Sequence, residues 1–274
     1  MNPEIIDAVA VLGGLGVFCG GVLGVVSRFF GVKEDPRVEA VLGLLPGINC
    51  GACGFAGCAD YARAIVMQKA PPNMCAPGGN AVVEALAGFL GVKAELRERQ
   101  VAIVLCHGGR QEARRKFAYN GVADCAAAAL VAGGDKACAY GCLGLGSCAR
   151  ICPVNAVEIT ANGLAVVHPE LYIGCGKCVK ACPRQLIRLA PESAEFHILC
   201  RNKDRGPAVR KVCSVGCIGC TLCAKAAPDA CKMEGALAVM DYVKPLTDAA
   251  VAAKCPQKII VRRSGRREEA SACA

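Results

Sequence analysis

The feature that most constrains this chain is its cysteine content and the way the cysteines are grouped. The chain has 22 cysteines among 274 residues, and most fall in Cys-x2-Cys or Cys-x3-Cys-Pro groups. Disulfide scaffolds with this much cysteine are mostly short secreted domains, whereas cysteines this close along a chain are placed to bind one inorganic centre. The grouping therefore predicts a metalloprotein with several cysteine-ligated centres.

The amino terminus carries a long uncharged segment. Residues 8–27 read AVAVLGGLGVFCGGVLGVVS, and 20 helical residues are enough to cross a hydrocarbon core of about 30 Å. Acidic residues precede the segment, unlike in a signal peptide, and Arg28, Lys33 and Arg37 follow it. We expect a single-span membrane anchor over residues 1–30. The positive-inside rule then puts the bulk of the chain on the cytoplasmic side of the inner (cytoplasmic) membrane.

A first constellation of four cysteines follows the anchor. Residues 47–58 read GINCGACGFAGC, and a fourth cysteine follows in NMCAPGG, which gives the spacing Cys-x2-Cys-x4-Cys-x16-Cys. Four thiolates in this span suffice for one [4Fe–4S] cluster, whereas a zinc site more often pairs two short cysteine knuckles. We predict a small, mainly α-helical [4Fe–4S] domain over residues 34–92. Its predicted ligands are Cys50, Cys53, Cys58 and Cys75.

Residues 98–137 form a predicted linking segment of mixed α/β structure. The apolar run VAIVLC indicates a strand, and the alanine-rich stretch VADCAAAALVAGG indicates a helix. Cys106 and Cys125 stand alone in this segment. We interpret both as buried cysteines that behave as small apolar residues.

Two cysteine-rich segments repeat at an offset of 75 residues. One reads CAYGCLGLGSCARICP from residue 138, and the other reads CSVGCIGCTLCAKAAP from residue 213. Each resembles the first half of a bacterial two-cluster ferredoxin, and a second half follows, YIGCGKCVKACP or PLTDAAVAAKCP. The predicted fold is α+β, with two tandem ferredoxin-like modules over 138–190 and 198–262 and a basic, polar tail over 263–274.

Ligand assignment in such modules is crossed, because the first three cysteines of one motif share a cluster with the last cysteine of the other. In the second module, this rule predicts one ligand set made of Cys217, Cys220, Cys223 and Cys255. The complementary set is missing as a whole, since its positions hold Ala227, Pro245, Asp248 and Val251. We therefore predict one cluster in the second module.

The first module departs from the ferredoxin pattern at two positions. Leu145 stands where one set needs a cysteine, and Cys138 is the natural substitute, so that the predicted set is Cys138, Cys142, Cys148 and Cys182. Tyr172 interrupts the other set and leaves three thiolates, Cys152, Cys175 and Cys178. We expect this fourth site to hold a [3Fe–4S] cluster, to recruit a ligand such as Cys200, or to be impaired. Cys213, Cys231 and Cys273 are interpreted as spare.

The sequence offers no general base, nucleophile or nucleotide-binding loop, so no independent catalytic site is expected and the chemistry belongs to the clusters. His107, His168 and His197 are isolated and are interpreted as surface or hydrogen-bonded side chains. The formal net charge is +9, but no nucleic-acid motif accompanies it, and no nucleic-acid partner is predicted. A basic group could instead dock an acidic ferredoxin or form an ordinary solvated face. It consists of Lys177, Lys180, Arg184 and Arg188.

The anchor, the GINCGACGFAGC loop and the phrase YGCLGLGSC in a ferredoxin-like module together resemble the B subunits of the Rnf-type ion-translocating oxidoreductase complexes. The resemblance covers almost the whole chain. It implies an iron–sulfur electron-transfer subunit of a membrane-bound translocase, in which electron transfer from ferredoxin toward NAD is coupled to sodium or proton movement. The implied partners are the other subunits of the complex and soluble ferredoxin.

Three alternatives stay open from the sequence. A membrane-anchored polyferredoxin subunit of a hydrogenase or dehydrogenase would show similar motifs, and co-purifying subunits would distinguish it. The related Rsx complex reduces a redox-sensing transcription factor. A multi-zinc interaction protein would use similar cysteine groups, and iron content and visible absorption would exclude it.

Overall fold

The structure is a computed structural model that describes residues 3–30, 35–93 and 95–263. It contains both helices and strands, in agreement with the mixed class that the sequence predicts. The chain divides into two units, Met1–Ala40 and Val41–Ala274. The predicted tail, with Cys273, lies outside the described residues except for Arg263.

The long helix of the first unit is α1 (Pro3–Phe30). Its segment Val9–Phe29 is long and apolar enough to cross a membrane, and within the described ranges no other helix meets this criterion. Large apolar side chains along it, including Val17 and Phe18, are exposed. Length and composition therefore fit the expected membrane anchor.

Regular structure within residues 35–93 is helical wherever the structure describes it. Helix α2 (Pro36–Leu44) precedes the first cysteine loop, and α3 (Cys58–Val66) begins at the third cysteine of that loop. A 3-10 turn (Pro72–Met74) leads to Cys75, and α4 (Gly79–Leu90) follows.

Eight strands in the following region pair into four two-stranded antiparallel sheets. In the first half of the region, β1 (Gln100–Val104) pairs with β4 (Ile187–Pro191), and β2 (Val157–Ile159) pairs with β3 (Ala165–Val167). In the second half, β5 (Phe196–Ile198) pairs with β8 (Ile260–Arg262), and β6 (Cys231–Glu234) pairs with β7 (Leu237–Met240). Each half thus has one hairpin and one outer strand pair, in which the first strand of the half pairs with the last.

Short helices connect these strands and carry or flank the cysteine motifs. The first half contains α5 (Cys125–Leu130), α6 (Ser147–Arg150) and α7 (Lys177–Ala181). The second half contains α8 (Gly206–Val212), α9 (Leu222–Ala226) and α10 (Ala249–Ala253). The strand and the alanine-rich helix expected between residues 98 and 137 are confirmed as β1 and α5.

Each half has its own apolar core, and cysteines are part of both. The first core includes Val101, Ala156 and Ile187 together with three cysteines, and the second includes Phe196 and Leu237. The buried cysteines of the first core are Cys148, Cys152 and Cys178. Because these side chains are packed inside the domain, their positions are fixed by the core as well as by the cysteine loops.

Candidate iron–sulfur sites

The first three cysteines of the first constellation lie in or at the end of a loop with several left-handed residues. Gly47, Gly51 and Gly54 have φ values of 70°, 71° and 87°, which glycine adopts without a steric cost. Turns that include left-handed residues expose successive backbone N–H groups and form concave surfaces for anions. The Asn49 side chain accepts a hydrogen bond from the Cys58 N–H at 2.8 Å and closes the loop.

Cys75 reaches this loop through contacts made by helix α3. The buried Tyr61 hydroxyl donates to the Pro71 carbonyl at 2.8 Å and accepts from the Met74 N–H at 3.0 Å, so the chain ahead of Cys75 is held against α3. Burial raises the pKa of the Cys75 thiol, and nearby sulfurs raise it further. These neighbours are Cys58, Cys50 and Cys53.

A cavity in the second half is lined by the four cysteines that the crossed rule joins: Cys217, Cys220, Cys223 and Cys255. Its walls also include apolar side chains such as Ile198 and Ile260. Gly219 has a φ of 70°, and a Cβ there would lie 2.7 Å from the Ala236 carbonyl oxygen. Glycine therefore lets the cysteine loop approach the β6–β7 hairpin.

The corresponding cavity in the first half differs from the sequence-based expectation. It is lined by Cys125, Cys142, Cys148 and Cys182. Cys138, which the sequence analysis joins to this set, lines a different cavity. Leu145 packs beside Cys125 and Leu143 in a small apolar cluster. Leu145, which interrupts the cysteine motif, therefore contacts the segment that carries Cys125, the fourth cysteine of this cavity.

Cys125 is the first residue of α5, and a polar network fixes it beside the motif. Its N–H donates to the Ser147 hydroxyl oxygen at 2.7 Å, and that hydroxyl donates to Asp124 at 2.7 Å. Asp124 also caps α5 and pairs with Arg150 at 3.0 Å. The sequence signal is an Asp-Cys pair before an alanine-rich stretch, which marks a helix start but not the surface on which the helix docks.

Burial raises the thiol pKa of two cysteines of this cavity, Cys142 and Cys148. Burial raises the pKa of the Cys148 thiol to about 12, and neighbouring cysteines contribute further to this increase. A thiol with such a pKa stays protonated near neutral pH unless a metal displaces its proton. Metal binding at this cavity therefore requires proton release.

Cys152, Cys175 and Cys178 form a smaller group in the first half, with Tyr172 at the position of the fourth cysteine. Burial, followed by the sulfurs of Cys175 and Cys152, raises the pKa of Cys178 to about 11. Tyr172 is 2% exposed, and its oxygen accepts a hydrogen bond from the Gly176 N–H at 3.2 Å. The tyrosine side chain also hydrogen-bonds Cys178. A buried phenol thus stands beside three sulfurs.

This smaller group borders the first constellation. A Cβ at Gly174 would lie 3.2 Å from the Cβ of Ala76. Gly174 directly precedes Cys175, and Ala76 directly follows Cys75. Two cysteine loops therefore meet at this contact.

A third cavity is lined by cysteines that stand outside the short motifs. These are Cys106, Cys138, Cys200 and Cys213. From the sequence, Cys106 is expected to be an apolar residue, Cys200 a possible ligand of the Tyr172 site and Cys213 spare. The structure brings all three together with Cys138 instead.

The remaining described cysteines do not line these cavities. Cys19 lies on α1, and Cys231 is buried next to Cys223. All cysteines in the described ranges are free, and no three His, Cys, Asp or Glu side chains there are close enough to hold a single metal ion. The cysteines of the three cavities line them in groups of four, which is the number of thiolates that a [4Fe–4S] cluster takes.

The FeS family model, which describes an Fe-S cluster, matches residues 45–77. The match covers the whole first constellation. Together with the cysteine-lined cavities, it defines the chain as an iron–sulfur protein. The buried His168 and His197 hydrogen-bond Glu158 and Tyr242 at 3.0 and 3.1 Å, and His107 lines the third cavity.

Similar proteins extend the comparison to nearly the whole chain. The B subunit of the ion-translocating oxidoreductase complex of Methanosarcina acetivorans is 41% identical over 264 residues, which are 96% of this chain and 100% of that protein. The B subunit of the proton-translocating ferredoxin:NAD(+) oxidoreductase complex of Clostridium ljungdahlii is 44% identical over 93% of this chain and 91% of its own length. The Na(+)-translocating counterpart of Acetobacterium woodii is 40% identical over 95% of this chain and 78% of its own length. The chain belongs to the family of B subunits of Rnf-type ion-translocating oxidoreductase complexes, which confirms the resemblance carried by its motifs.

Proposed function

We propose that this chain is the membrane-anchored iron–sulfur electron-transfer subunit of a complex that couples electron transfer between ferredoxin and NAD to ion translocation. The observation that carries the proposal is the series of cysteine groups within one structural unit, in a chain whose full-length relatives are named for this activity. Iron–sulfur clusters supply one-electron chemistry when bound. The protein contributes the ligands, the apolar walls and the hydrogen-bond donors around the sulfurs.

We infer three [4Fe–4S] ligand sets, one in the amino-terminal domain and one in each of two tandem ferredoxin-like modules. The cavities support the module sets, and their lining revises the first-module set by exchanging Cys138 for Cys125. The first set is Cys50, Cys53, Cys58 and Cys75. The second is Cys125, Cys142, Cys148 and Cys182, and the third is Cys217, Cys220, Cys223 and Cys255.

Backbone donors to sulfur are present at one cysteine of the second set, Cys182, and at one cysteine of the Tyr172 site, Cys152. The Leu186 N–H donates to the Cys182 sulfur at 3.4 Å, and the Ala156 N–H donates to the Cys152 sulfur at 3.2 Å. Such hydrogen bonds stabilise the thiolate form and raise the potential of a ligated cluster. Each donor follows its cysteine by four residues, so the same local turn serves both motifs.

The Tyr172 site is proposed to differ from the other sets. It offers three thiolates. Cys200, the fourth ligand suggested by the sequence, lines the third cavity instead. The site is therefore suited to a [3Fe–4S] cluster or to no cluster. Cys178 also raises the pKa of Cys148, so this group neighbours the first-module cavity as well as the first constellation.

Soluble ferredoxin is the proposed electron partner, and exposed basic residues of the first module are candidates for docking it. Lys180 and Arg188 are exposed. Arg184 is less suitable, because its guanidinium donates to the carbonyl oxygens of Cys138 and Gly141 at 2.6 and 3.1 Å. Charge reversal at Lys180 and Arg188 should weaken ferredoxin binding in a salt-dependent way. Unchanged binding would move the docking surface elsewhere.

The proposed location is the cytoplasmic membrane, with the iron–sulfur region on the cytoplasmic side. The basic Arg28 in the last turn of α1 supports this orientation. A reporter fused to the carboxyl terminus should be active only in the cytoplasm. Periplasmic activity of that reporter would reverse the orientation.

The proposed function is tested on the anaerobically purified full chain with bound iron. Reduced ferredoxin should bleach its visible absorption and produce electron paramagnetic resonance signals of reduced clusters. The charge-reversed Lys180→Glu/Arg188→Glu chain, with unchanged iron, is the matched control for specific docking. A chain that binds iron but takes no electrons from ferredoxin would contradict the proposal.

A further inference from the structure

The third cavity is built symmetrically from the two modules. Cys106 lies two residues after β1, and Cys200 lies two residues after β5. Cys138 and Cys213 each lie four residues before the first motif cysteine of their module, Cys142 or Cys217. Each module, taken together with the strand that precedes it (β1 or β5), therefore contributes an equivalent pair of cysteines, and the two pairs line one cavity.

The hydrogen bonds to these sulfurs repeat the same symmetry. The Cys142 N–H donates to the Cys106 sulfur at 3.4 Å, and the Cys217 N–H donates to the Cys200 sulfur at 3.3 Å. The buried Asn202 side chain donates to the Cys138 sulfur at 3.5 Å. Donors aimed at sulfur favour thiolates, and plain apolar packing of cysteines does not require them.

Glycines bring the backbone close to this group. A Cβ at Gly108 would lie 2.7 Å from the Cys213 sulfur. Gly141 and Gly216 directly precede the first motif cysteines, and a Cβ there would lie 3.2 Å from the Lys136 Cδ and 2.3 Å from the Val209 Cγ1. A side chain at Gly108 would occupy the space beside the Cys213 sulfur.

Positive charge is buried beside the same cavity. Lys136 is 4% exposed, and its ammonium group donates to the Gly108 and Cys142 carbonyl oxygens at 2.6 and 2.7 Å. The Arg184 guanidinium donates to the Cys138 carbonyl oxygen at 2.6 Å. A cluster with four thiolate ligands is negatively charged, so these cations offset the cost of burying it.

We propose that Cys106, Cys138, Cys200 and Cys213 bind a further [4Fe–4S] cluster held jointly by both modules. Its neighbours are the two module sites, because the sulfurs of Cys106 and Cys200 accept hydrogen bonds from Cys142 and Cys217, which line those sites. The cluster would therefore lie between the two module sites. Its role as an electron relay rests on the proposed function, whereas the existence of the site does not.

The test is iron and sulfide content of the anaerobic full chain with single and paired substitutions. Cys106→Ala and Cys213→Ala should each lower iron by about four per chain. Because these two residues come from different modules but share one site, the double variant should also lose about four, not eight. Cys231→Ala, a substitution of another buried cysteine, is the matched control and should keep its iron.

Unchanged iron in both single variants, or an additive loss in the double variant, would overturn the proposal. If the substitutions remove all iron by preventing folding, a cryo-electron microscopy map of the wild-type complex decides the question. Four-iron density between the four sulfurs supports the site, and its absence there refutes it. Neither readout depends on reduction by ferredoxin, so failure of this site and failure of the proposed function are distinguishable.

Discussion

The region from β1 to β8 has two halves with the same strand arrangement. They differ at one cluster site, whose positions hold Cys152, Tyr172, Cys175 and Cys178 in the first half. In the second half, all four cysteines of that site are replaced. Val251, at one of these positions, is 4% exposed and packs with Leu246 in the apolar core, and Asp248, at another, caps α10. Ordinary side chains therefore occupy the positions of a whole ligand set.

The first half has changed only one position of the equivalent site. Tyr172 is buried beside the sulfurs of Cys152, Cys175 and Cys178. These cysteines keep their positions in the loops, and the Cys152 sulfur keeps a backbone N–H donor. In this chain, packed side chains have taken the place of the crossed site in the half where both motifs have changed. A single substitution leaves most of the binding site intact.

The largest expected effect separates Cys125 from Cys138 in the first half. Because we assign them to different clusters, the Cys125→Ala/Cys138→Ala chain should lose about eight irons. The matched control, Cys125→Ala/Cys148→Ala, affects one cavity and should lose about four. Iron and sulfide analysis measures both. A loss of about four in each pair would return Cys138 to the first-module set.

A smaller change in iron is expected from completing the interrupted site. Tyr172→Cys should add about one iron if the three thiolates already hold a [3Fe–4S] cluster, and about four if they hold none. Mössbauer spectroscopy of the full chain distinguishes the two results. Tyr242→Cys, in the second half, is the control and should add none. Constant iron in the Tyr172 variant would mean that this half has lost its site completely.

Stability should change without iron loss where packing has replaced a cluster. Leu246 is 3% exposed, and Leu246→Ala should reduce the free energy of unfolding by about 2–5 kcal/mol, since it leaves a cavity in the second core. Val243 is 88% exposed, and Val243→Ala should change it by less than about 0.5 kcal/mol. Anaerobic denaturant unfolding measures the difference. Iron loss in Leu246→Ala would contradict a purely apolar replacement.

The smallest effect is expected from the buried cation between the halves. Lys136→Met removes a positive charge beside Cys142 and Gly108, so clusters at the adjoining sites should have lower reduction potentials with unchanged iron. Lys180→Met, at an exposed position, should shift these potentials much less because solvent screens its charge. Redox titration followed by electron paramagnetic resonance measures both variants. Equal shifts would argue against a local role for Lys136.

Sequence reasoning succeeded where the determining contacts are local in the chain. The loop from Gly47 to Cys58 encodes its own turns through left-handed glycines, and α3, β1 and α5 follow from short patterns. The crossed rule joined Cys217 to Cys255 because both halves of the repeat retain recognisable spacing. The structure brings these residues to one cavity.

The positions of Cys125, Cys106 and Cys200 could not be derived in the same way. Cys125 reaches its cavity through the Asp124–Ser147 network, a contact between segments more than 20 residues apart. Cys106 and Cys200 look isolated until β1 and β5 are seen to begin equivalent halves. The pairing of β1 with β4 and of β5 with β8 sets where these two cysteines lie relative to the cysteine motifs. The spacing of cysteines along the sequence does not encode this pairing.

The pairing of β5 with β8 has a consequence for how such chains evolve. Phe196 lies opposite Arg262, so the second half enters and leaves the fold at neighbouring points. A segment whose ends meet can be inserted, duplicated or deleted in a gene without displacing what precedes it. The exception is the shared cysteine cavity: a lineage that discards this half also discards two of the four sulfurs there. Loss of the segment should therefore be followed by drift at Cys106 and Cys138.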